Sequence, residues 1–126
     1  MAFSGTYELQ SKENFEAFMK AIGVPDDVTQ KAKDLKTITE IVQTGNHFVI
    51  TMTTGLSILR NEFTIGEEVE MESLIGKAKT VVNLVDGKMV AQLKEIHSVT
   101  EVSGDLLIGI LTCKGIVYKS VSKKLP

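Results

Sequence analysis

From Thr37 onward apolar and polar residues alternate with a period of two, as in Thr37-Ile38-Thr39-Glu40-Ile41 and Val69-Glu70-Met71-Glu72. Such alternation sends successive side chains to opposite faces and predicts half-buried β-strands. Glycines cut the runs at regular intervals: Gly45, Gly55, Gly66, Gly76 and Gly87, with Gly104 and Gly115 resuming the beat. Thr44-Gly45-Asn46, Asp86-Gly87 and Ser103-Gly104-Asp105 are turn sequences, because tight hairpins need residues that reach positive φ. The expected strands are Thr37–Gln43, His47–Thr53, Ser57–Thr64, Glu67–Ser73, Lys77–Val85, Lys88–Lys94, Ser98–Val102, Leu106–Thr112 and Ile116–Ser122, with Gly5–Gln10 ahead of them.

One region changes period. Phe15, Phe18, Met19 and Ile22 recur at i, i+3, i+4 and i+7, which predicts a helix ended by Gly23. Val24-Pro25-Asp26-Asp27 then opens a second, with proline and acids in its first turn and Val28, Ala32 and Leu35 as its inward stripe. A strand, a helix pair and nine further strands describe an all-β barrel or sandwich.

Composition narrows the interior. Aromatic residues make up only 6% of the chain and tryptophan is absent, so bulky side chains are scarce. A ten-stranded barrel is wide enough to hold internal space. Alternation allows Thr39, Glu72, Ser98, Thr100 and Ser122 to point inward. An unpartnered polar group in a dry core costs roughly 1–3 kcal/mol, a penalty that a cavity with water and ligand removes. Solvent-facing placement of the same residues fits the alternation equally well.

The 126 residues and net charge of −2 suit one domain over residues 1–126, with no nucleic-acid footprint. No apolar run approaches the roughly 20 residues of a bilayer-spanning helix. The N-terminus shows no secretory pattern, and Cys113, the single cysteine, cannot form an internal disulfide, so a cytoplasmic location is expected. Fourteen residues are basic, yet Arg60 is the only arginine.

Ala2-Phe3-Ser4-Gly5-Thr6-Tyr7, Glu13-Asn14-Phe15-Glu16-Ala17-Phe18-Met19-Lys20, Asn61-Glu62-Phe63-Thr64-Ile65-Gly66-Glu67-Glu68 and Val121-Ser122-Lys123-Lys124 together resemble the intracellular lipid-binding proteins along the whole chain. Ile38 to Gly45 and Ser98-Val99-Thr100-Glu101 are similar to the liver-type fatty-acid-binding branch; His97 and the Lys-Lys-Leu ending lean towards the ileal bile-acid-binding branch. The resemblance implies a ten-stranded antiparallel up-and-down clam-shaped barrel, capped by a helix-turn-helix portal over about residues 13–35. It also implies a carrier of long-chain fatty acids or related apolar ligands, with a bile-acid or sterol-type ligand as the alternative. A scaffold that binds no ligand is the rival from another class.

In the liver-type pattern an arginine on the last strand meets the lipid carboxylate. Ser120 stands at that position in Tyr118-Lys119-Ser120-Val121-Ser122-Lys123, so the resemblance implies a clamp without its cation. Ser122 matches a hydroxyl partner directly, Thr39 stands where the pattern has serine, and Gly109 stands where a polar residue is usual. Ile41, Phe48, Ile50, Met52, Phe63, Leu74 and Leu111 match the cavity lining, and Asn61 belongs to the inward set that leaves Arg60 facing solvent. Glu72 matches an inward acid, though its acidic neighbours equally suit a solvated face. Phe15, Phe18 and Met19 would close the barrel and touch ligand, as would Ser98, Thr100 and Tyr118.

No nucleophile–base pair, metal-ligand spacing or phosphate-cradling motif is present, so no enzyme activity, metal or cofactor is expected. His47 is expected at the surface, whereas His97 aligns with a histidine of bile-acid-binding relatives. Lys20, Lys31, Lys33 and Lys36 form a patch able to touch anionic membranes transiently. A monomer is expected.

Overall fold

The structure is a computed structural model that describes residues 3–73 and 76–126. The chain runs β1 (Gly5–Glu13), α1 (Phe15–Ala21), α2 (Asp26–Ala32), β2 (Thr37–Thr44), β3 (His47–Thr54), β4 (Ser57–Thr64), β5 (Glu68–Ser73) and β6 (Gly76–Val81). It continues through β7 (Asn83–Val85), β8 (Lys88–Leu93), β9 (Ile96–Ser103), β10 (Leu106–Cys113) and β11 (Ile116–Lys124). Nine strands form one sheet in the order β4-β3-β2-β1-β11-β10-β9-β8-β7, and β5 pairs with β6 in a separate ribbon. Every paired neighbour is antiparallel. The architecture is the expected all-β, up-and-down curled sheet with a helical cap.

One expected strand is two. Lys77–Val85 breaks at Val82, whose carbonyl accepts the Gly66 N–H at 2.9 Å. Val82 is the point where the chain leaves its pairing with β5 and begins pairing with β8. The ribbon bridges the edges of the large sheet through side chains. Asn61 Nδ2 donates to the Glu72 carbonyl at 3.0 Å, and its Oδ1 accepts from the Glu72 N–H at 2.8 Å. On the other side Thr80 Oγ1 donates to the Gln92 carbonyl at 2.8 Å.

The helix α1 ends as its sequence predicts. Gly23, at φ 88°, lets its own N–H reach the Lys20 carbonyl and the Val24 N–H reach that of Met19. For α2 the expected inward stripe is corrected. Val28 and Leu35 are 49% and 43% exposed, and the buried residue is Thr29. Its hydroxyl donates to the Pro25 carbonyl at 3.3 Å, so a polar residue can sit inward without a lost bond. The helix ends at Ala32 with Lys33 as its C-cap, so Leu35 falls beyond it and the stripe is cut short.

Among the described residues, buried apolar side chains form two separate clusters. Tyr7, Ile41, Phe48, Phe63, Met89 and Leu107 lie in one. Phe18 and Met19 of α1 join Ile96 and Cys113 in the other, with Phe15, Leu111 and Tyr118 packed against them.

Candidate functional site

Residues directly opposite in an antiparallel ladder share a face, so the register identifies the inner surface. Thr39 lies between Tyr7 and Met52, Ile41 opposite Ile50, Ile50 opposite Asn61, and Phe48 opposite Phe63. Across the sheet, Leu111 lies between Ser98 and Tyr118, Gly109 between Thr100 and Ser120, and Leu107 opposite Ser122. Met89 and Ala91, both buried, stand opposite Thr100 and Ser98 and show that this face is the interior one. The hydroxyls of Thr39, Ser98, Thr100, Ser120 and Ser122 therefore share the inner surface with the apolar clusters.

Their burial is uneven in an informative way. Phe48, Phe63, Ile41, Thr39 and Ser122 are buried, whereas Ile50, Asn61, Ser98, Thr100, Leu111, Tyr118 and Ser120 are only partly so, and Met52 is exposed. A filled barrel would leave inward side chains without accessible surface, as close-packed cores do. The middle of the inner face is open.

At the capped end the helix face meets this surface. The Tyr118 ring stacks on Phe18 with centroids 5.7 Å apart and tilts against Phe15 at 5.8 Å. Burial pushes the Tyr118 phenol up to about 12, with a hydrogen bond to Ser120 pulling the other way, so the group remains neutral near pH 7. Gly109 makes room beside Ser120, because a Cβ there would stand 2.9 Å from the serine hydroxyl.

Several expected residues lie elsewhere. Glu72 is corrected to the outer face, where it alternates with Glu68 and Glu70 while Val69 and Met71 turn towards the core. Arg60 is exposed beside Glu62, at 3.5 Å. His97 is exposed and meets Gln92 at 3.1 Å, away from the interior. His47 meets Glu62 at 2.7 Å on the outer surface, and this bond, more than the nearby charges, lowers the Glu62 carboxyl. Leu74 lies outside the described residues. Leu59 shares the inner face with Asn61 and Phe63, as the inward set implies, and Met89, Ala91, Val102 and Leu107 share it although no sequence signal separated them from ordinary core.

A curled antiparallel sheet whose inner face carries hydroxyls among partly accessible apolar side chains, with a helix pair at one end, has close counterparts. The sequence matches the lipocalin / cytosolic fatty-acid binding protein family over residues 1–126. The chain belongs to that family. It is 55% identical to the fatty acid-binding protein, liver, of Sus scrofa over 127 aligned positions, covering 99% of this chain and 100% of that one. A second relative, the fatty acid-binding protein 1, liver, of Ambystoma mexicanum, is 55% identical, with 98% and 100% covered. Zebrafish ileal bile acid-binding protein, solved with cholic acid, superposes with a TM-score of 0.88 at 37% identity, covering 99% of this chain and 100% of that chain. These family members are binding proteins rather than enzymes.

Proposed function

We propose that this chain is a cytoplasmic, single-domain carrier that holds a long-chain fatty acid in the open middle of its barrel. The carrying observation is the inner face: two apolar clusters flank a partly accessible band of hydroxyls. Burying an acyl chain contributes about 0.8 kcal/mol per methylene, so a dozen methylenes give on the order of 10 kcal/mol before ordering costs. Micromolar binding needs about 8 kcal/mol. Apolar burial can thus drive binding by itself.

Displacement of a fluorescent fatty acid tests this reading. Micromolar binding of the probe, competed by oleate, is the expected result. A chain acting as a filled scaffold gives no bound signal, and that outcome would end the carrier hypothesis. The similarity to a structure holding cholic acid supports bile acids as a second ligand class, and the same displacement assay ranks them against oleate. The exposed position of His97 gives that histidine no part in either mode.

Ligand delivery is proposed to involve a transient contact of the monomer with anionic membranes. Lys20, Lys31, Lys33 and Lys36 lie on or beside α2 and α1, with Val28 and Leu35 exposed among them. Lys33 and Lys36 face Glu16 at 3.7 Å and Glu8 at 2.6 Å, which moderates the charge of the patch. Transfer from the protein to anionic vesicles is expected to slow as salt rises, because exposed charges are screened beyond a Debye length of about 8 Å at physiological ionic strength. A transfer rate indifferent to salt and to vesicle charge would favour release through water instead.

A further inference from the structure

Alternation from Tyr7 and Leu9, both inward, would turn Ser11 inward and Lys12 outward. The structure reverses this. The register between β1 and β11 shifts between Leu9 and Ser11, so that Leu9 faces Ser122 but Lys12 faces Ser120. One extra residue in a strand moves all later side chains to the opposite face. Lys12 thereby joins the inner row of Ser120, Gly109 and Thr100.

The side chain then runs towards the helical cap. Its Nζ donates to the Lys33 carbonyl at 2.6 Å, at the C-terminal cap of α2, and stands 4.3 Å from the centre of the Phe15 ring. Among the described residues it makes no ion pair, whereas Lys33 and Lys36 each face a glutamate. Burial pushes this ammonium below its ordinary range, and the Asp34 carboxylate acts in the opposite direction. A partly buried cation held only by a carbonyl and a ring keeps a capacity to accept an anion. The space for one is present: Lys12 lines an open cleft of about 380 Å³ between residues 9–12 of β1, the exposed Gln10 and Ser11 included, and residues 33–36.

We propose that Lys12 receives the carboxylate of the bound lipid in this cleft, while the acyl chain extends along the inner face beyond Ser120. The inference rests on the carrier reading. It places the cation on the strand next to the last one, where a lysine stem reaches a head held near the cap. Lys12 is then the residue that separates acids from neutral lipids of the same length.

Lys12→Met keeps the length and apolar stem but removes the charge. Oleate affinity is expected to fall about tenfold, the usual scale for losing a charge-assisted hydrogen bond, while oleyl alcohol affinity stays unchanged. Lys12→Arg should restore oleate binding, and its thermal unfolding checks that the substitution site tolerates change. Unaltered oleate binding by Lys12→Met would overturn the proposal and leave the carrier reading intact. Equal losses for acid and alcohol would also overturn it, since Lys12 would then act only by tethering α2. Failure of the unsubstituted protein to bind either lipid would remove the carrier reading and this inference together.

Discussion

Replacing Ser120 with arginine is expected to raise oleate affinity by at least about tenfold and to leave oleyl alcohol affinity unchanged. The position faces inward, opposite Gly109 on one side and Lys12 on the other. Gly109 leaves the space above β10 free, so a guanidinium at 120 can extend over it. Arginine presents a planar fork that bonds a carboxylate bidentately, which a serine hydroxyl cannot match. Without ligand the new charge sits across from Lys12 and is partly desolvated, so the empty variant should unfold at a lower temperature than the parent. Oleate should then raise its melting temperature by more than it raises that of the parent, because binding to the folded state alone stabilises it. Isothermal titration with both lipids, paired with thermal unfolding, measures each effect. Equal oleate affinities in variant and parent would show that a cation at this position does not reach the bound carboxylate.

Removing the ring of Phe48 is expected to cost about 3–5 kcal/mol of folding stability. Phe48 is fully buried, stacks on Phe63 with centroids 5.3 Å apart, and meets the edge of Phe3 at 5.7 Å. Tyr7 fixes the same end of the barrel by donating its hydroxyl to the Phe3 carbonyl at 2.9 Å. The cluster is packed, in contrast to the open middle of the inner face, so Phe48→Ala leaves a cavity that its neighbours fill only in part. Leu56, which is 103% exposed, serves as the control, and Leu56→Ala should change stability by less than about 0.5 kcal/mol. Urea unfolding of both variants checks the pair. A loss below about 1 kcal/mol for Phe48→Ala would mean that this end of the barrel is as open as its middle, since the ring would then have few contacts to lose.

Local patterns carried most of the architecture. Period-two alternation and spaced glycines placed the strands, and the i, i+3, i+4, i+7 spacing placed α1, because both signals depend on neighbours a few residues away. Glu72 marks their limit. Alternation left both faces open to it and family resemblance suggested the interior, but the structure turns Val69 and Met71 to the core and Glu72 outward. Likewise, the two-turn α2 carried an apolar spacing that its packing did not follow. Leu35 is exposed because α2 ends three residues before it, and Val28 is exposed because its neighbour Thr29 takes the inward position.

The sequence by itself determined the order of elements and the absence of arginine from the last strand, since these follow from residue identity and local period, whereas the strand register decided that the hydroxyl rows face inward. Only the tertiary structure decided how the ribbon joins the barrel, through the Asn61 amide in place of a ladder, because that bond links residues 11 apart across two sheets. It alone also decided where a cation stands. The register shift in β1 has no glycine to announce it and arises from pairing with a strand more than a hundred residues away, yet it turns Lys12 to face Ser120. A strand's period is written in its own residues; the face it presents is settled by its partner.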